Sequence, residues 1–202
     1  MRLITVRHGR TRANDLRVTQ GWSDEQLDSE GIEQVKKVSE RLKDEKIEII
    51  FASDLQRAYK TAEEISKHHD CKIIKDKRLR EQGKGKYENG PAKVMIEDFK
   101  KSSQTIVDWT PEGGESIGEV NKRVMDFLEE VIRNYKNKTV LIVSHGGPLA
   151  VISRNFKNDS KFDPDDKENN RKHSHKNTGI SEYTFDGENW NIIKYNCIKH
   201  LE

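Results

Sequence analysis

The chain alternates short apolar runs with longer stretches in which apolar residues recur every three or four positions. Leu3-Ile4-Thr5-Val6 is a strand-sized run, residues 47–52 are a second, and residues 138–144 are the third and clearest. Residues 71–74 form a shorter candidate. Between these runs the period changes. Ile32, Val35, Val38 and Leu42 recur at helical spacing among Glu, Lys and Arg, which predicts a helix with one buried face. Ala58, Ala62 and Ile65 repeat the pattern after Asp54, an expected N-cap. Ile117, Val120, Val124, Phe127, Leu128 and Val131 predict a long amphipathic helix. Strands alternating with helices imply an α/β fold: a mostly parallel central sheet flanked by helices, in three layers.

The tail breaks the alternation. Residues 180–185, then Asp186-Gly187, then residues 190–195 read as a hairpin at the sheet edge. Residues 81–91 are rich in glycine and lysine and read as a loop. Residues 157–176 are densely charged, almost without apolar side chains, and read as a surface excursion. No internal repeat and no second core is legible, so residues 1–202 are expected to form one domain.

Charge narrows the partners. Lysine and arginine number 37 against 35 aspartates and glutamates, a net charge of +2. A chain so balanced is not a general nucleic-acid binder, and any basic site must be local. No stretch approaches the ~20 apolar residues of a membrane span, and the first apolar run is too short for a secretion signal. Cys71 and Cys197 stand in neither metal nor redox spacing, which points to a reducing compartment. The expectation is a cytoplasmic protein without nucleic-acid or membrane partners. Its oligomeric state is not legible.

Ligand sites in open α/β sheets form beyond the carboxyl ends of the strands. There the first strand delivers Arg7 and His8, the second Ser53 with Arg57 a turn into the next helix, and the third His145 with Gly146 and Gly147. Two histidines and two arginines on one edge fit a phosphate ester. Arginine forks bind phosphate oxygens in pairs, and a neutral imidazole can attack phosphorus. A lone histidine at a strand end is more often structural; the second histidine and the arginines reverse that reading.

These residues resemble the histidine phosphatase superfamily, the phosphoglycerate-mutase-like proteins. Arg7-His8-Gly9 matches its signature, with Thr11 and Asn14 following. Gln20-Gly21, Asp24, Leu27, Gly31 and Gln34 match the next segment. So do Ser53-Asp54-Leu55, Arg57-Ala58, Thr61-Ala62, Leu79-Arg80-Glu81, Gly113-Gly114-Glu115-Ser116, Arg123 and Ser144-His145-Gly146. The resemblance implies roles. His8 is the nucleophile that becomes phosphorylated. Arg7, Arg57 and His145 hold the phosphoryl oxygens, with hydrogen bonds from Asn14 and the backbone at Gly146. Glu81 is the acid and base, and Gln20 and Gly21 line the pocket mouth. It implies no metal and no cofactor, since arginines supply the positive charge, and a small phosphate ester as substrate.

Three functions stay open: a phosphomonoester phosphatase, a cofactor-dependent phosphoglycerate mutase, and a non-catalytic phosphate-binding protein on the same fold. Mutases of this family carry a longer insertion after the acid that closes over the substrate. Residues 82–91 are short, which favours the phosphatase. Arg10, Lys84 and Lys86 depart from the family pattern and add charge near the pocket. Either at least one meets a further anionic group on the substrate, or all three point to solvent. Several groups are read as structural or solvated: His68 and His69 at a helix end, His173 and His175 as surface decoration, and Asp163, Asp165 and Asp166 as a charge run. His200 has no assigned role.

Overall fold

The computed structural model describes residues 1–159 and 166–202. Its strands are β1 (Arg2–Arg7), β2 (Ile49–Ala52), β3 (Ile73–Lys75), β4 (Thr139–Ser144), β5 (Ile180–Phe185) and β6 (Trp190–Cys197). Its α-helices are α1 (Arg12–Leu16), α2 (Ser29–Leu42), α3 (Gln56–Ser66), α4 (Ala92–Lys101), α5 (Ile117–Asn134), α6 (Gly146–Phe156) and α7 (Lys167–His173). The sheet runs β3-β2-β4-β1-β5-β6. The first four strands in that order are parallel, and the β5–β6 hairpin closes one edge antiparallel to β1.

Alternation along the strands builds two cores. In β4, Val140 and Ile142 join Val124, Phe127, Leu128 and Val131 of α5 and Leu149 and Ile152 of α6. Leu141 and Val143 face the other way, onto Val38 and Leu42 of α2 and Ala58, Ala62 and Ile65 of α3. The sheet is therefore the middle of three layers. Helix α2, on the connection from β1 to β2, and helix α6, which follows β4, cover opposite faces. Strands β1 and β4 are neighbours, so a crevice opens at the carboxyl ends of this pair.

Two details differ from the sequence pattern. Ile32 is 46% exposed. The buried face of α2 runs instead from Gly31 through Val35, Val38 and Leu42. A Cβ at Gly31 would lie 2.0 Å from the Arg10 carbonyl oxygen, so the helix start packs backbone against backbone and Ile32 turns outward. Asp54 does not cap α3. Arg80 reaches it with two hydrogen bonds of 2.7 and 2.6 Å, and such a charge-assisted fork outcompetes a single amide. Asp24 takes the Gln56 N–H instead, at 2.6 Å.

The described part of 157–176 is more than a surface excursion, because it contains α7 and two buried histidines. His173 and His175 are 2% and 3% exposed. His173 bridges Ser153 on α6 and Asp159, at 3.0 and 2.8 Å. This serine–histidine–aspartate row is a strap between α6 and the segment after it, since Ser153 is fully buried. His175 lies between the His173 carbonyl and Ser181 on β5. Asp166 caps α7. Asp163 and Asp165 fall outside the described residues. Among the described residues no helix is long and apolar enough to cross a membrane, and both cysteines are unpaired.

Candidate active site

Parallel pairing of β1 with β4 sets Arg7 opposite Ser144, so the next residue of each strand end is a histidine. The His8 N–H donates to the Ser144 carbonyl at 3.0 Å. The two imidazoles then sit 5.1 Å apart, centre to centre. They are 2% and 0% exposed.

Their partners choose the tautomers. His8 Nδ1 lies 2.7 Å from the Gly9 carbonyl oxygen, which can only accept, so Nδ1 carries the proton. In the neutral ring Nε2 is left with a bare lone pair. His145 Nδ1 lies 3.2 Å from Arg57 Nε–H, which can only donate, so the proton sits on Nε2. That nitrogen is buried and has no hydrogen-bond partner among the described residues. One ring thus offers a nucleophile and the other a donor.

Burial, then the charges of Arg7 and Arg57, hold the His8 pKa well below the ordinary histidine value. Burial, then Arg57, does the same for His145. An unfolded chain takes up these protons below pH ~6.5, whereas the folded one does not. The unfolded state therefore binds more protons on acidification, and stability falls as pH drops through that value. His175, lowered by burial to about 3, adds to the effect. Each group is expected to remove about 1 kcal/mol between roughly pH 7.5 and 5.5, above the main carboxylate range. Urea midpoints measured at the two ends check this, and an unchanged or higher midpoint in acid would contradict a neutral, buried pair.

The arginines are placed by different devices. Arg57, 1% exposed in the first turn of α3, also donates to the carbonyls of Ser23 and Gly21 at 2.7 and 2.8 Å. It pins the loop that carries Gln20 and Gly21. Arg7 donates to the His175 carbonyl at 2.6 Å, while its Nε is buried and unpartnered among the described residues.

Glu81 arrives from the loop after β3. Its carboxylate accepts from the amides of Gln82, at 2.8 Å, and Gly147, at 3.1 and 3.2 Å. A Cβ at Gly147 would stand 2.3 Å from Glu81 Oε1, so only glycine permits this approach. The Glu81 carbonyl is held by Trp22 and Arg123, and Glu115 grips Arg123 through both oxygens.

A cavity of about 310 Å³ gathers Arg7, His8, Asn14, Gln20, Gly21, Arg57 and Glu81. His145 lies directly behind His8 and Arg57. Gly146 is not on this wall; one residue further, Gly147 is, because successive residues of a helix turn about 100° apart. Thr19, Gln82, Ala92 and Met95 also line the cavity and were not singled out by the sequence. Only Gly147, second of a glycine pair after a strand, carried a visible signal.

The basic departures separate. Arg10 is tied to Asp28 at 2.9 Å and Glu30 at 2.6 Å beside the start of α2. Lys86 pairs with Glu112 at 3.3 Å on the surface. Lys84 lines the cavity. Its ammonium donates to Gln82 Oε1 at 2.5 Å, and it forms no ion pair with a carboxylate of the described residues. Outside the cavity, His200 is hydrogen-bonded to Thr178.

Known proteins share both sequence and fold. The chain is 30% identical over 209 residues to phosphoglycerate mutase-like protein 4 of Arabidopsis thaliana, covering 99% of this chain and 86% of that one. It is 33% identical over 156 residues to phosphoserine phosphatase 1 of Hydrogenobacter thermophilus, covering 75% and 74%. A solved structure of a mutant phosphoserine phosphatase from Entamoeba histolytica, in complex with phosphoserine, superposes with a TM-score of 0.82 at 26% identity, over 100% and 99% of the two chains. The model of the histidine phosphatase superfamily (branch 1) matches residues 3–198, and the chain belongs to that superfamily.

Proposed function

We propose that this protein is a phosphomonoester phosphatase that works through a phosphohistidine on His8. The observation that carries the reading is the pair of buried imidazoles in opposite tautomers, one a free lone pair and the other a free N–H, flanked by two guanidinium groups. His8 Nε2 attacks phosphorus as the P–O bond to the alcohol breaks. Glu81, as the carboxylic acid, gives that oxygen its proton. A water then attacks the phosphohistidine and passes a proton to Glu81, releasing phosphate and restoring both groups. Arg7, Arg57 and His145 meet the charge that gathers on the phosphoryl oxygens, and Asn14 completes the cradle. The phosphoserine phosphatase relatives support this reading.

The mutase-like relative keeps one rival in view. A mutase must hold water away from the phosphohistidine. Helix α4 borders the cavity through Ala92 and Met95, yet none of its residues is buried, which makes it a poor water barrier. Release of inorganic phosphate from a panel of phosphomonoesters, in excess EDTA, tests the proposal. Interconversion of 2- and 3-phosphoglycerate without phosphate release would replace it with the mutase. Turnover that vanishes in EDTA and returns with magnesium would overturn metal independence.

Lys84 supports a substrate with a second anionic group, such as a carboxylate. It is the basic departure that lines the cavity, and Gln82 holds it there. A half-buried, charge-assisted contact contributes roughly 1.5–3 kcal/mol, about ten- to a hundred-fold in affinity. Lys84→Ala is expected to lower kcat/KM by that factor for phosphoserine or a phosphoglycerate, and much less for ethyl phosphate. Arg10→Ala and Lys86→Ala are expected to leave this ratio alone, since both side chains are paired elsewhere. An equal loss on both kinds of substrate would sink the idea.

A further inference from the structure

A second cavity of about 340 Å³ lies on the far side of Gly147. Arg7, Gln82 and Gly147 line both it and the cavity that holds His8. Glu81 lines the first cavity, and its carboxylate accepts from the amides of Gln82 and Gly147, two residues that line both. The substituent on an oxygen that takes a proton from Glu81 could then extend in one of two directions: toward Lys84, or past Gly147 toward this second space.

The two spaces differ in chemistry. The inner walls of the second are Ile117 and Val120 from α5 and Ala150 and Val151 from α6. Apart from Arg7, whose Nε has no partner among the described residues, its polar side chains are largely engaged by the protein. Arg154 donates to Asn170 and pairs with Asp159. His173 is held by Ser153 and Asp159, and His175 by Ser181 and a carbonyl. Gln82 spans the Glu115 carbonyl and Lys84. Away from Arg7 these bonds leave hydrocarbon as the main surface on which a ligand can gain affinity, since a polar group entering there would lose water and find few free partners.

We infer that the cavity between α5 and α6 is a leaving-group pocket that takes an uncharged, apolar substituent of the phosphate ester. The inference rests on the phosphatase reading for its chemistry, but its binding component stands apart from turnover. It widens the substrate class from small polar esters to those with a hydrocarbon branch beside the ester oxygen. Ala150 faces the cavity from a half-exposed helical position, so a larger side chain there fills the pocket without entering the core.

Two phosphonates that cannot be hydrolysed, ethylphosphonate and cyclohexylmethylphosphonate, test binding by calorimetry. The protein is expected to bind the second at least ~10-fold more tightly, an amount that burying about two methylene groups supplies. Ala150→Phe is expected to erase that preference, and Ile117→Ala to weaken it. Phosphate release from ethyl phosphate and cyclohexylmethyl phosphate, both esters of primary alcohols, is measured alongside. Equal affinity for the two phosphonates, or an Ala150→Phe variant that retains the preference, overturns the pocket whatever the turnover. A preference that Ala150→Phe erases, with no phosphate released from either ester, upholds the pocket and overturns the phosphatase reading alone.

Discussion

Replacing His8 with alanine is expected to lower turnover by roughly 10⁴-fold or more, because no other group can form the covalent intermediate and binding terms alone recover little of the rate. The neighbouring imidazole cannot substitute. Arg57 donates to His145 Nδ1, which leaves that ring a proton where His8 has a lone pair. Rapid quench in alkaline detergent with a labelled phosphate ester would separate loss of chemistry from loss of structure. The unaltered protein should trap an acid-labile, base-stable phosphoenzyme, and the variant none. His8 is buried among backbone groups, so circular dichroism should accompany the assay. A folded variant that keeps near-normal turnover would falsify phosphohistidine chemistry.

Glu81→Gln is expected to slow hydrolysis by ~10²–10⁴-fold, the usual worth of a positioned acid and base. The amide keeps the shape and an oxygen that can still accept from Gly147 N–H, so substrate affinity should move far less. The loss should shrink for aryl phosphates, whose leaving oxygens need little protonation. Kinetics across a series of alkyl and aryl esters decides the matter, and one factor common to the whole series would remove Glu81 from the acid role.

The first expectation began with a residue legible in the sequence, since the strands that carry His8 and His145 are short apolar runs that end in a histidine or one residue before it. The acid was harder. Glu81 lies in a glycine- and lysine-rich loop with no periodicity, and only the resemblance to a family singled it out. Its place depends on Trp22, Glu115, Arg123 and Gly147, contributed by three other segments. The fate of the added cations was equally hidden. Arg10 found Asp28 and Glu30, Lys86 found Glu112, and Lys84 found the cavity. Nothing in their spacing foretold which would be neutralised.

The sequence by itself determined the layered α/β order, the hairpin and the strand-end histidines and arginines. Apolar period and strand length are local, and each is set by whether a segment can bury one face or two. Tertiary structure alone decided the tautomers, the burial of His173 and His175, the placing of Ile32 outside the core, and the pocket behind Gly147. These depend on which groups from distant segments meet. A densely charged stretch reads as solvated until packing supplies each polar atom with a partner, as Ser153, Asp159 and Ser181 do for the two histidines.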